Sequence, residues 1–288
     1  MSVLIGKLKL KNPVMVASGT FGYGLEFKDL VDLDKIGAIV TKTITLKPRL
    51  GNPQPRIFEL HYGMINSIGL QNVGLEIFLK DKLAELKKIT KTHIIVSVGG
   101  NTEKELLEII ETLNSEKIAA VELNLSCPNI IGKKIISQSA KQTYKLVSTI
   151  RKRTNLTLIT KLSPNVTDIT KIAKSCEDAG CDAVSLINSF PVLFFSPSLV
   201  FGGLSGPCIK HIALRMVYLA CQTVRIPVIG MGGIMDVNDA LEFFRAGAKA
   251  VAVGCANFAN PQTTIEIIEE ISRINAMNVN TNKYERNL

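Results

Sequence analysis

One pattern constrains this chain more than any other: a short apolar run followed by a stretch of helical period, repeated eight times along the sequence. The strand candidates are residues 14–17, 37–40, 93–98, 121–124, 156–161, 183–187, 227–230 and 250–253. Each is short and apolar almost throughout, as a strand buried on both faces is. Between them, residues 75–88 carry Leu75, Phe78, Leu79, Leu83 and Leu86 at helical spacing. Thr102 and Glu105 form a capping box ahead of Leu106, Ile109, Ile110 and Leu113. A further helix follows strand four at about 141–153, and the one holding Ile169, Ile172, Ala173 and Cys176 stops at Gly180. The joins at 179–184 and 246–251 share the pattern Ala-Gly-x-x-Ala-Val. Eight such units predict a closed parallel (β/α)8 TIM barrel, and 288 residues at 46% apolar suffice to fill it as one domain.

In a barrel of this kind the C-terminal ends of the strands gather on one face, where active sites are built. Those ends hold Ser18, Lys42, Thr43, Ser97, Asn124, Lys161, Asn188, Ser189, Gly232, Gly233 and Gly254. A barrel with only a structural role has no need for such a set. The glycines after strands seven and eight suit close approach of backbone N–H groups to a phosphate, although Gly-Gly is also a common tight turn. Two lysines suit a cofactor that gains negative charge during reaction, such as a flavin. After strand four, Asn124-Leu125-Ser126-Cys127-Pro128-Asn129 puts a thiol among amides and hydroxyls, with Pro128 holding Cys127 extended. Cys127 reads either as a nucleophile or base, or as a buried structural cysteine. A connection of about thirty residues, 44–74, is long enough to be functional.

Composition removes several classes. No apolar run is long enough to span a membrane, and the segment from Met1 to Lys7 lacks the features of a signal peptide, so a cytoplasmic protein is expected. The six cysteines form no Cys-x-x-Cys pair and there are three histidines, which argues against a metal or iron–sulfur site held by this chain alone. Net charge is +9, but there is no Trp and no interleaving of aromatic with basic residues, so nucleic acid is not the expected partner.

Five motifs carry a family resemblance: 66–72 (Asn-Ser-Ile-Gly-Leu-Gln-Asn), 124–129, 161–165 (Lys-Leu-Ser-Pro-Asn), 202–207 (Gly-Gly-Leu-Ser-Gly-Pro) and 229–234 (Ile-Gly-Met-Gly-Gly-Ile). Together they resemble dihydroorotate dehydrogenase, in the form of the catalytic subunit of the NAD-linked class 1B, from about Leu10 to Pro261. The resemblance implies oxidation of dihydroorotate to orotate in pyrimidine biosynthesis, with hydride passing to FMN and Cys127 taking the C5 proton. By the same resemblance Ser18, Lys42, Thr43, Ser97, Asn124, Lys161, Ile187, Gly206, Gly232, Gly233, Gly254 and Cys255 match cofactor positions. Lys42, Asn66, Ser67, Ile68, Gly69, Leu70, Asn124, Asn188 and Ser189 match substrate positions. No metal site is implied. The implied partners are a separate subunit carrying FAD and a [2Fe–2S] cluster, NAD as final acceptor, and a second copy of this chain as the homodimer core of a heterotetramer. Residues 1–274 then form one FMN-binding barrel domain and 275–288 a polar, frayed tail.

The chain departs from the family pattern beside the site. Ser97 stands where Asn is usual, Lys133-Lys134 replace a glycine pair, Ser137-Gln138 replace Phe-Gly, and the 190–201 segment is short. Three alternatives compete. A dihydropyrimidine dehydrogenase-type FMN subunit shares the Asn-Leu-Ser-Cys-Pro motif, although Asn129 and the 66–70 motif favour dihydroorotate. The others are a non-redox phosphate-binding barrel enzyme and a barrel that serves only as a scaffold.

Overall fold

The computed structural model describes residues 2–125, 136–196 and 198–285. The chain opens with an antiparallel hairpin, β1 (Val3–Ile5) and β2 (Leu8–Leu10). Strands β3 (Val14–Val16) and β4 (Ala38–Val40) begin a barrel, and a second hairpin, β5 (Ile57–Leu60) and β6 (Gly63–Asn66), follows. The barrel resumes with β7 (His93–Val98), β8 (Ala120–Asn124), β9 (Thr157–Lys161) and β10 (Ala183–Leu186). A third hairpin, β11 (Phe190–Ser196) and β12 (Ser198–Ser205), precedes β13 (Val228–Met231) and β14 (Ala250–Val253). The parallel strands close in the order β10-β13-β14-β3-β4-β7-β8-β9, so the (β/α)8 barrel forms with the expected eight strands, their ends moved by about one residue.

Alternation along each strand builds two layers of core. Inward-facing Met15, Ala38, Val40, Ile95, Ala120 and Ile159 fill the lower lumen together with Ile5, Leu8 and Leu10, so the opening hairpin plugs the barrel's N-terminal end. Outward-facing Val14, Ile39, Val96, Leu123 and Val184 pack under the helices. Burial on both sides explains why these strands read as continuous apolar runs.

The helices begin and end where side-chain chemistry dictates. Thr102 Oγ1 accepts from Glu105 N at 3.2 Å at the start of the helix Glu103–Leu113, while the Glu105 carboxylate takes Asn101 N at 2.7 Å. Asp168 and Asp236 cap the helices Ile169–Asp178 and Val237–Arg245 through the N–H groups of Thr170 and Asp239. The repeated Ala-Gly join is a helix stop: Gly180 (φ 86°) and Gly247 (φ 103°) take the left-handed turn that L-residues avoid. The helix expected at 75–88 runs from Leu75–Ile77 through a π-helical stretch, Phe78–Leu83, into Ala84–Ile89. The last helix, Thr263–Glu285, continues through 275–285, where a frayed tail is expected from composition. Among the described residues no helix is long and apolar enough to cross a membrane.

The long 44–74 connection is not the irregular loop its Pro, Gly and Asn content suggests. Its hairpin joins β11 and β12 in a four-stranded antiparallel sheet, ordered β11-β12-β6-β5, at the C-terminal end of the barrel. That sheet walls one side of the site.

Candidate active site

At the C-terminal ends of the strands lies a cavity with about 1210 Å³ of empty space, counting its open mouth. The structure brings Ser18, Lys42, Thr43, Asn124, Lys161, Ile187, Asn188, Ser189, Gly206, Gly232, Gly233, Gly254 and Cys255 onto its wall. Asn66, Ile68 and Leu70 join them from the β6 side. Parallel strands of one barrel must end on one face, so residues scattered between 18 and 255 converge.

Lys161, at the end of β9, is 4% exposed and donates to Ser18 Oγ at 3.1 Å. Burial pulls its pKa below the ordinary lysine value, partly opposed by the nearby Glu122 carboxylate. Lys42, beyond β4, is half-buried and also lowered by desolvation, with Glu26 opposing and Arg56 adding to the shift. Two amines in a cleft whose described lining residues include no carboxylate make an anion-seeking surface. Between them, Asn124 Nδ2 donates to Thr43 Oγ1 at 3.0 Å, and Asn188 Nδ2 approaches Asn124 Oδ1 at 3.4 Å. These amides pair a donor with an acceptor each, the equipment for a ring with alternating N–H and C=O groups.

The turn after β6 takes a strained backbone that Asn72 holds in place. Gly69 (φ 73°) and Leu70 (φ 57°) both adopt the left-handed conformation, unusual for leucine. Asn72, 5% exposed, donates to Leu70 O and Thr45 Oγ1 at 2.8 Å each and accepts from the N–H groups of Gly74 and Thr45. The result turns Ile68 and Leu70 into the cavity.

Three expected site residues lie off the wall. Ser97 is fully buried, and its hydroxyl hydrogen-bonds Thr43 Oγ1 at 2.9 Å, so it backs a wall residue. Ser67 is buried with its hydroxyl on Phe201 O at 2.8 Å, and Gly69 serves the turn. Cys127 lies outside the described residues, as do Lys133 and Lys134. The wall also includes residues not singled out in the sequence: Thr20, Ile57, Met64, Gln71, Ser205 and Phe258. Gln71 stood inside a recognised motif and is held by the Arg56 guanidinium. Ile57 and Met64 arrive on the β5–β6 hairpin and had no signal of their own.

The glycines shape part of the wall. A Cβ on Gly233 (φ 76°) would sit 2.8 Å from Lys210 Cβ and 2.9 Å from Gly206 O, so the backbone tolerates nothing larger. A Cβ on Gly254 would meet only Ala17 Cβ and Thr20 Cγ2, both at 4.0 Å, and would project into the cavity.

A closed parallel barrel with a lysine in the floor of a glycine-walled cleft at its C-terminal face defines the class: a barrel enzyme with an anion-seeking site. Comparison with known proteins narrows it. The dihydroorotate dehydrogenase family profile matches residues 1–274, and the chain belongs to that family. It is 49% identical over 278 residues to a protein of Geotalea uraniireducens (strain Rf4), covering 93% of this chain and 91% of the relative. It is 51% identical over 278 residues to one of Trichlorobacter lovleyi, with the same coverage, and 47% over 279 residues to one of Caldicellulosiruptor bescii, covering 94% and 92%. All three bear the name dihydroorotate dehydrogenase B (NAD(+)), catalytic subunit.

Proposed function

We propose that this chain oxidises dihydroorotate to orotate with a bound FMN and passes the electrons to a separate subunit. The observation that carries the reading is Lys161, buried in the floor of a cavity lined by Gly206, Gly232, Gly233 and Gly254 and by the amides of Asn66, Asn124 and Asn188. The residues fit FMN: the space that a Cβ on Gly254 would enter is the kind a planar ring or a phosphate needs, and Gly206, Gly232 and Gly233 offer backbone in place of side chains. Bound there, FMN supplies the hydride acceptor.

The remaining work belongs to the chain. Lys161 presents positive charge beside Ser18, and Thr43, Ile187 and Cys255 line the same cavity. Asn66, Asn124, Asn188 and Ser189 hold the substrate ring, and Lys42 receives its carboxylate. Ile57, Met64, Leu70 and Phe258 give the cavity its apolar lining. Cys127, three residues beyond β8, takes the C5 proton.

The relatives' names, a catalytic subunit and NAD(+), support a partner that carries electrons onward. We read that partner as a subunit with FAD and [2Fe–2S], NAD as final acceptor, and a homodimer of this chain at the centre of a cytoplasmic assembly.

The test is anaerobic stopped-flow bleaching of the flavin by dihydroorotate, parent against Cys127→Ser. The variant should keep its FMN and slow by roughly 10²–10⁴ at neutral pH, the usual share of a general base. The parent chain alone should reduce a dye but not NAD. A colourless protein sinks the flavin reading, and a Cys127→Ser variant bleaching at the parent rate removes Cys127 as the base.

A further inference from the structure

Beneath the active site the lumen holds a carboxylate that the reaction as described does not use. Glu122, in the middle of β8, is 2% exposed. In register it faces Ser97 of β7 and Ile159 of β9, while Asn124, one inward position higher, faces Lys161. Glu122 therefore sits one layer below the lysine. Ser185, paired in register with Lys161, reaches past β9 and donates its hydroxyl to Glu122 Oε2 at 3.0 Å. The other oxygen, Glu122 Oε1, has no hydrogen-bond partner, the sole such buried side-chain atom among the described residues. Lys161 gives its hydrogen bond upward to Ser18 and feels the charge of Glu122. The other ionisable groups on the described cavity wall are Lys42 and Cys255.

A carboxylate oxygen left bare in an apolar barrel is destabilising, and so is a lysine with no counter-charge. Each offsets part of the other's desolvation without direct contact, and Ser185 fixes the carboxylate so that it cannot turn away. We propose that Glu122 is a positioning residue of this site, whose carboxylate holds Lys161 in its charged form inside the dry lumen. The Lys161 charge is then available to an anionic ligand above it. This inference rests on the flavin reading for its effect on the cofactor, but not for the coupling between the two side chains.

The experiment exploits a sign. Glu122→Gln removes a negative charge from beneath the flavin, which by itself makes the flavin easier to reduce. If Glu122 keeps Lys161 charged, the variant also loses the lysine's positive charge, and the flavin becomes harder to reduce. The expected result is a lower two-electron potential, by roughly 30 mV or more for a tenfold or greater change in the equilibrium constant. In a Lys161→Met background the same substitution should raise the potential or leave it unchanged, and Glu122→Asp, which keeps the charge, should return it towards the parent. Glu122→Met, which leaves no polar atom at position 122 itself, gives the same sign test should the amide variant not fold. In the flavin-free chain, ¹⁵N-lysine NMR should show Lys161 losing its proton at lower pH in Glu122→Gln than in the parent. A raised or unchanged potential for Glu122→Gln in the parent chain, where Lys161 is intact, or an unmoved Lys161 titration, overturns the proposal. The NMR measurement needs no flavin, so failure of FMN binding would leave it decisive.

Discussion

Gly254→Ala separates the fold from the ligand more cleanly than any other single change in this cavity. The backbone there does not need glycine, and the added methyl would find only Ala17 Cβ and Thr20 Cγ2, each at 4.0 Å. Without strain, the substitution should stabilise the ligand-free chain by about 0.4–1 kcal/mol through reduced freedom of the unfolded state. For a domain of this size that raises the melting temperature by about 1–3 °C. The methyl enters the cavity, however, and overpacking a close-fitting ligand costs about 1–3 kcal/mol. At about 1.4 kcal/mol per decade, FMN affinity should fall roughly 5- to 150-fold. Melting of the flavin-free protein and fluorescence titration with FMN give the two numbers. Gly233→Ala is the contrast, since its Cβ would collide with Lys210 and the Gly206 carbonyl at φ 76°, and it should lose fold stability and flavin together. A Gly254→Ala variant that binds FMN as tightly as the parent would show that the cofactor does not lie against this wall, and the assignment would fail.

Two further outcomes concern the scaffold and its buried charge. Asp182 Oδ2 accepts from Arg151 Nη1 and from Leu158 N, both at 2.8 Å, beside the start of β9. Asp182→Ala should therefore destabilise the chain by about 2–3 kcal/mol in urea unfolding while leaving flavin content unchanged, and a loss under about 0.5 kcal/mol would refute this. Lys161 has a folded-state pKa lowered below the ordinary 10.5, chiefly by burial, so between those two pH values the unfolded chain binds the extra proton. Its contribution to stability is complete above 10.5 and is lost as pH falls through the folded value. The stability of Lys161→Met relative to the parent, measured without flavin, should therefore be greatest at low pH and shrink towards pH 10.5. A pH-independent difference would contradict the burial.

The barrel was readable because its strands are buried on both faces, which leaves a continuous apolar run that no exposed element imitates. The hairpins were not. In β5 and β6 the apolar residues share four-residue strands with Glu59, Gly63 and Asn66, and their pairing partners lie far along the chain, as in Gly203 with Asn66. Nothing local distinguishes such a strand from a loop. The same limit explains Ser97. A polar residue at a strand end reads alike whether its hydroxyl faces the cavity or the neighbouring strand, and only the closeness of Thr43, just past the end of the adjacent β4, decides. The wall residues that were legible, Lys42, Lys161, Gly232 and Gly254 among them, occupy strand ends where a parallel barrel leaves no choice of face.

The lumen joins the fold to the site. Its lower part is closed by Ile5, Leu8 and Leu10 of the opening hairpin and by alanines. Its upper part carries Ser97, Glu122, Lys161 and Ser185, each 4% exposed or less. Opposite charges held apart in such surroundings interact more strongly than they would at the surface, where solvent and salt screen them. The plug at one end of the barrel thus raises the influence that Lys161 exerts at the other. A polar substitution among Ile5, Leu8 and Leu10 should therefore weaken the electrostatics of the site as well as the fold, although these residues lie at the opposite end of the barrel from the cavity.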